Sequence, residues 1–206
     1  MRENNHADND TAFAQAELLQ SMLRKSFPSN ARASDSTAPE RGPAYQGYAA
    51  DPDFQLRGGY DNLMLDAASP LFGLVIRLRT LDTLPNIEEV HQQVRNQIGN
   101  IQQEMRQHGY ETTQTLAYSY GLCLFIDEAV MERPWGQVSL WSHEPLLSIF
   151  HGETFGGAKI FTVISRLMQE PKRYKDVLEF MYFILCLGLK GKYALAPKGE
   201  ETLNDL

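Results

Sequence analysis

Four residues of the types that bind metal ions lie close together in the chain: His143, Glu144, His151 and Glu153. Histidine and carboxylate side chains hold catalytic zinc in metal-dependent hydrolases. Their spacing differs from the His-Glu-x-x-His pattern, which places two histidines on one helical face, and Pro145 prevents one continuous helix through them. A metal-dependent hydrolase that uses His143, His151 and Glu153 is therefore the enzymatic alternative, supported by a weak pattern.

Asp127 and Glu128 are neighbouring carboxylates, which could divide acid and base roles if their pKa values were driven apart. Adjacent residues on a helix, however, do not face each other. Asp127 lies at the edge of an apolar stripe, so we expect it to be half-buried. It should accept hydrogen bonds from backbone N–H groups between Arg133 and Gly136, or pair with Arg133. We expect Glu128 to face solvent, where it could belong to an acidic patch that binds a partner.

Trp135 and Trp141 flank a short region between two apolar segments. Tryptophan is enriched among residues that dominate protein–protein interfaces. A Pro-Trp-Gly turn is equally compatible with a ring that fills the space between two helical layers. Both interpretations remain open at this point.

The segment from His151 to Gly157 is rich in glycine and superficially resembles a phosphate-binding loop. The resemblance fails because Ala158, not lysine, follows the last glycine, and no strand precedes the loop. We predict a structural loop in which Gly152, Gly156 and Gly157 permit a tight backbone. Glu153 should cap the helix that follows, where a negative charge is favourable.

The composition excludes some classes of function. The chain has 206 residues, 43% of them apolar, with a formal net charge of −7 and a pI of about 5.2. The excess of Lys and Arg that drives non-specific binding to nucleic acid is missing, so we expect no nucleic-acid partner. Cys123 and Cys186 both lie in apolar runs and are predicted to be reduced core residues. We expect no cofactor.

Apolar residues recur at steps of three and four, and no stretch alternates as a strand would, which predicts an all-α fold of about six to eight helices. Asn62 or Asp61 should begin the first helix, which Pro70 should kink or restart with Ser69 as a second cap. The last helix is apolar nearly all round, which places it at the centre of the domain. The predicted helical segments are 62–78, 86–105, 111–132, 146–150, 160–168 and 174–189.

Three regions differ in composition. Residues 1–58 are predicted to be a flexible leader, with a short amphipathic helix near 11–27. Residues 59–198 should form the helical domain, and 199–206 the start of a tail. The N-terminus has no apolar core of a secretory signal, and the most apolar segment, 177–189, is too short to cross a bilayer, so we expect these residues to be soluble.

Seven segments, taken in order, carry a family resemblance. They are 62–72 (NLMLDAASPLF), 76–81 (IRLRTL), 120–130 (YGLCLFIDEAV), 134–136 (PWG), 146–153 (LLSIFHGE), 156–161 (GGAKIF) and 178–193. In this order and spacing they resemble the DotU/TssL family of type VI secretion systems, called IcmH/DotU in the related type IV systems.

The resemblance implies a cytoplasmic domain made of two packed three-helix bundles in a hook-like arrangement. It also implies a single transmembrane helix near the C-terminus, and no stretch up to Leu206 is long and apolar enough to supply it. We expect that the sequence stops before this helix. The implied location is the cytoplasmic face of the bacterial inner membrane.

The same resemblance implies a non-enzymatic scaffold that links the inner-membrane complex to the cytoplasmic baseplate. Its implied partners are the TssM inner-membrane protein, the TssK baseplate protein and a second TssL copy in a dimer. No coherent set of nucleophile, base and oxyanion donors argues for an enzyme. The predicted partner-binding residues are Asp127, Glu128, Arg133, Trp135, Trp141 and Glu144, and the predicted structural loop contains His151, Gly152, Glu153, Gly156 and Gly157.

Overall fold

The computed structural model describes residues 57–195, which form helices without any strand. The predicted leader, its amphipathic helix and the tail at 199–206 lie outside these residues, apart from the leader's last two positions. The predicted all-α class is confirmed. The helices are α1 (Leu63–Leu78), α2 (Ile87–Gln107), α3 (Thr112–Met131), α4 (Pro134–Gln137), α5 (Leu140–His143), α6 (Leu146–His151), α7 (Lys159–Leu167), α8 (Lys175–Cys186) and a final 3₁₀ helix (Gly191–Leu195).

Helix α1 begins at Asn62, whose side chain accepts hydrogen bonds from the backbone N–H groups of Met64 at 2.9 Å and Leu65 at 3.4 Å. The helix runs through Pro70 without interruption, so the predicted restart is wrong. Pro70 has no N–H for the carbonyl of Asp66, four residues earlier. The Ser69 hydroxyl donates to that carbonyl instead, at 2.8 Å, and so replaces the lost hydrogen bond.

Helix α2 shows the clearest agreement between pattern and structure. Its apolar stripe is buried, and the helix ends as the His-Gly pair predicts. Gly109 has a φ of 84°, its N–H donates to the carbonyl of Arg106, and the next N–H, of Tyr110, donates to that of Met105. This is a Schellman ending, in which a left-handed glycine lets the last carbonyls find donors.

Helix α3 occupies the centre of the domain, a position that the sequence assigned to the last helix. It packs against α1, α2, α4, α6, α7 and α8. On α8, Val177, Phe180, Met181 and Ile184 are buried, but Tyr182 is 70% exposed because no described helix covers that side. Cys186 on the same helix is exposed, so its predicted core position is wrong, whereas Cys123 on α3 is buried.

Two groups of mutually packed helices share α3. Helices α1 and α2 pack on each other and on α3, α7 and α8 pack on each other and on α3, and α1 also packs on α8. Gly121 lets α8 approach, because a Cβ there would lie 2.8 Å from the Met181 sulfur. None of the helices within residues 57–195 has both the length and the apolar content that a bilayer span requires.

Candidate functional site

Asp127 holds together the region that follows α3. It is 6% exposed. Its Oδ1 accepts hydrogen bonds from Trp141 Nε1 at 2.8 Å and Leu146 N at 3.0 Å, and its Oδ2 accepts one from Leu147 N at 2.8 Å. Helix α6 starts after Pro145, which offers no side-chain cap, so a carboxylate from α3 satisfies its first N–H groups.

This geometry corrects the predicted partners of Asp127. Backbone groups between Arg133 and Gly136 were expected, and the donors instead lie farther along the chain. Burial raises the pKa of Asp127 to about 6, and the bonds from Leu147 and Trp141 oppose that rise. Because this pKa is near neutral, protonation of Asp127 should alter its hydrogen bonds to α6 as the pH falls. The carboxylate itself is buried and does not lie on the surface.

Glu128, predicted to face solvent, is half-buried. Its Oε1 accepts a hydrogen bond from Lys190 N at 2.6 Å and its Oε2 accepts one from Gly191 N at 2.8 Å. Burial raises its pKa, while these two bonds lower it. The two adjacent carboxylates thus hold different segments, one after α3 and the other after α8.

The segment 134–144, which we call the docking segment, contains α4 and α5 and is held at several points. Arg133 Nη2 and Trp135 Nε1 both donate to the carbonyl of Leu81, at 2.7 and 3.1 Å. Gly136 lies so close to α3 that a Cβ would come 2.0 Å from the carbonyl oxygen of Val130. No larger residue fits there without moving backbone.

Trp141 lies in the core of the domain and is 0% exposed. The His91 ring packs edge-on against it at a centroid distance of 4.7 Å, and His91 Nε2 donates to the carbonyl of Glu144 at 2.9 Å. Burial lowers the pKa of His91. Helix α2 therefore holds the docking segment from one side while Asp127 holds it from another. Trp135 is half-buried, and the side chain of Glu144 is exposed.

The surface of the docking segment exposes apolar side chains. Val138 is 84% exposed and Leu140 is 45% exposed. Both side chains lie on a segment whose other side is held by hydrogen bonds to the rest of the fold. Sequence reasoning missed both residues, because Val138 lies between two helices and Leu140 begins a helix of four residues, which is too short to show a periodic face.

The glycine-rich loop connects three parts of the fold. Tyr120 Oη donates to Glu153 Oε2 at 3.1 Å, and Glu153 also pairs with Lys159. Helix α7 has no side-chain cap, so the predicted capping role of Glu153 is wrong. The pairing with Lys159 lowers the pKa of Glu153. Gly152 adopts a φ of 67° and ends α6.

The other two glycines of this loop permit close packing. A Cβ on Gly156 would lie 2.6 Å from Leu147 Cδ2, and one on Gly157 would lie 2.9 Å from the carbonyl carbon of Gly191. The carbonyl of Gly157 accepts a hydrogen bond from Lys192 N at 2.8 Å. The loop therefore also holds the chain that follows α8.

Ser119 and His151 form a pair that the sequence did not indicate. Ser119 Oγ lies 3.1 Å from His151 Nε2 and accepts a hydrogen bond from Gln102 Nε2 at 2.6 Å. The geometry is that of a serine with a base, but Ser119 is 1% exposed in the middle of α3, where no substrate could reach it. Burial lowers the pKa of His151. The pair connects α2, α3 and α6 through hydrogen bonds.

The predicted metal ligands do not come together. His143 Nδ1 is within 3.2 Å of the Ser139 carbonyl on the exposed docking segment, whereas His151 bonds Ser119. Within residues 57–195, no group of three His, Cys, Asp or Glu side chains is placed to hold a metal ion. Nothing in the described structure supports the hydrolase alternative.

A family model described as "Type VI secretion system protein DotU" matches residues 63–206. The chain belongs to the DotU family. This DotU-family chain is therefore a component of the membrane complex of a type VI secretion system, as the resemblance of its seven segments implied. A comparison with curated proteins finds no match.

One solved structure supports this assignment, and two more distant ones share the fold. The crystal structure of TssL from Vibrio cholerae is 44% identical, with a TM-score of 0.65 over 70% of this chain and 90% of that one. The cytoplasmic domain of TssL from Acinetobacter baumannii is 20% identical, with a TM-score of 0.63 over 69% of this chain and 90% of that one. SciP/TssL of the type VI system from enteroaggregative Escherichia coli 042 is 21% identical, with a TM-score of 0.58 over 63% and 76%. The last two show the fold alone.

Proposed function

We propose that this DotU-family chain is a non-enzymatic scaffold on the cytoplasmic face of the bacterial inner membrane. In this proposal it links the membrane complex of the secretion system to the cytoplasmic baseplate. Its partners are the inner-membrane protein TssM, the baseplate protein TssK and a second copy of the chain. Family membership supports the place in the secretion system, and the docking segment supports the adaptor role.

The observation that carries the proposal is the contrast within the docking segment. Its inner side is fully bonded, with Trp141 buried against His91 and bonded to Asp127. Its outer side leaves Val138 and Leu140 in water. A segment held in one conformation loses little entropy when a partner binds, so its exposed apolar groups contribute more of their burial energy to affinity.

The experiment replaces Val138 and Leu140 by aspartate and measures binding of TssK and of the TssM cytoplasmic region to the purified chain. We expect the double variant to weaken binding at least about tenfold, because two desolvated apolar contacts are lost and two charges must be buried. Circular dichroism should give an unchanged melting temperature, since neither side chain belongs to the core.

A matched control carries the same change elsewhere. Ile76 on α1 is 55% exposed and Leu116 on α3 is 50% exposed, so Ile76→Asp with Leu116→Asp adds the same two charges at similar exposure. This control should bind as the wild type does. Absence of any wild-type complex at tens of micromolar protein, or equal losses in both double variants, would exclude the docking segment as the binding surface.

A further inference from the structure

The charge of the described chain is divided unevenly along its length. Residues 57–158 contain six Lys and Arg against twelve Asp and Glu. Residues 159–192, which run from α7 to the first turn after α8, contain seven Lys and Arg against three Asp and Glu. Between residues 57 and 192, the stretch that contains α7 and α8 is therefore basic, whereas the stretch before it is acidic.

The cations of this basic part differ in how far they are neutralised. Four of the seven cations form ion pairs: Lys159 with Glu153, Arg173 with Glu111 and Glu170, Lys175 with Glu179, and Lys190 with Glu132. Arg166, Lys172 and Lys192 are not neutralised by any carboxylate among residues 57–195; Lys192 Nζ lies over the Phe161 ring at 5.3 Å from its centroid. Three uncompensated cations thus belong to α7, to the turn after it and to the segment packed beside it.

Exposed apolar side chains lie at both ends of the same helix. Phe155 precedes α7 and is 92% exposed, and Met168, which directly follows the last residue of α7, is 64% exposed. No Asp or Glu occurs between Thr154 and Gln169. Helix α7 packs on α3 and α8, and its Phe161 ring contacts Tyr193 of the final 3₁₀ helix. Its outer side, with Thr162, Ser165 and Arg166, is exposed.

We propose that this outer side of α7, with Lys172 and Lys192, is a contact surface for an anionic lipid bilayer; we call it the α7 face. Single cations attract a layer of anionic headgroups, while Phe155 and Met168 can enter the boundary between headgroups and hydrocarbon. The net charge of −7 does not prevent this contact. At physiological salt, charges more than about 8 Å apart in solvent are largely screened, so the local cations dominate.

A bilayer fits the α7 face better than an acidic protein does. The cations are spread along a helix and its two ends, without the convergent bonding that recognises one carboxylate. An aromatic ring that is almost wholly exposed, such as Phe155, is typical of contacts with the lipid interface. The chain also belongs to a family of secretion-system membrane-complex components, so an anionic membrane is within its reach.

The first test measures co-sedimentation of the full chain with vesicles. Vesicles of phosphatidylethanolamine and phosphatidylglycerol should bind the protein, and vesicles of phosphatidylcholine should not. Raising the salt concentration from about 0.05 M to about 0.3 M should release most of the bound protein, because screening shortens the reach of each cation. Failure to bind anionic vesicles, or equal binding to neutral ones, would overturn the proposal.

The second test compares two double variants that lose the same charge. Arg166→Gln with Lys172→Gln should lower the partition coefficient about 30-fold, since each cation near the surface contributes roughly 1 kcal/mol. Arg95→Gln with Arg106→Gln removes two exposed arginines of α2, outside the α7 face, and should lower it less than about threefold. Equal falls of the partition coefficient in the two double variants would show that only net charge matters and would contradict the proposal that the α7 face binds lipid.

The third test separates lipid from a protein partner. Phe155→Ser should weaken vesicle binding roughly tenfold even at low salt, because it removes partial burial of one ring. If the α7 face instead binds soluble polyglutamate more tightly than anionic vesicles, it is a protein-docking surface and the lipid proposal is wrong. None of these vesicle measurements involves TssK or TssM. A negative result would therefore exclude lipid binding by the α7 face without bearing on the scaffold proposal, which the TssK and TssM binding experiment tests.

Discussion

The docking segment and the segment after α8 are both held by carboxylates of α3, but at different depths. Asp127 is 6% exposed and satisfies three donors that have no other partner. Glu128 is half-buried and satisfies two backbone N–H groups near the surface. If the acceptor is removed, water can replace it at the Glu128 site but not at the buried Asp127 site. The two neighbours should therefore contribute very different amounts to stability although they make similar hydrogen bonds.

The largest expected effect comes from Asp127→Ala. The substitution leaves Trp141 Nε1, Leu146 N and Leu147 N buried without an acceptor, which should lower the free energy of unfolding by about 3 kcal/mol. Urea unfolding followed by circular dichroism measures it. Identical unfolding curves for the variant and the wild type would show that the cap is dispensable.

The pH dependence of stability tests whether Asp127 is buried as an ionised group. The pKa of Asp127 in the folded chain is about 6, above its usual value of 3.8, so between these values the folded chain binds more protons than the unfolded chain. The stability contribution of Asp127 is therefore present at low pH and is lost as pH rises through the folded value.

Asp127→Asn does not titrate and serves as the reference for this measurement. Relative to it, the wild type should lose about 2 kcal/mol of unfolding free energy between pH 4 and pH 7. Unfolding by urea at several pH values measures the difference. A difference that stays constant over this range would contradict the raised pKa.

The smallest expected effect comes from Glu128→Ala. Two backbone N–H groups, of Lys190 and Gly191, lose their acceptor but lie where water can reach them, so the cost should be about 1 kcal/mol. The melting temperature of this variant should fall clearly less than that of Asp127→Ala. An equally large fall in the two variants would contradict the expected difference in stability contribution between Asp127 and Glu128.

Much of the fold follows from local pattern. The α2 stripe, the cap at Asn62 and the glycine ending at Gly109 were each predictable, because each depends on residues within a few positions of one another. The role of Ser69 beside Pro70 was not predicted, although it is equally local. A proline signals a break more strongly than a neighbouring hydroxyl signals its repair.

The candidate site was less predictable. Asp127 was identified as a capping carboxylate from its residue type and its edge position, but its donors lie up to 20 positions away along the chain. Glu128 was expected in solvent because nothing near it in sequence indicates that the chain returns after α8. Val138 and Leu140 carry no pattern at all, since a four-residue helix is too short to show a periodic face.

The sequence by itself determined the helical class, most helix boundaries and the family, because repeating apolar spacing and ordered motifs are properties of the linear chain. The tertiary structure decided which helix is central, which of the two tryptophans is buried and which backbone groups each carboxylate caps. Those outcomes depend on which surfaces meet. Tyr182 and Phe180 lie two positions apart on one apolar helix, yet only Phe180 is covered, because α1, α3 and α7 leave the Tyr182 side of α8 exposed.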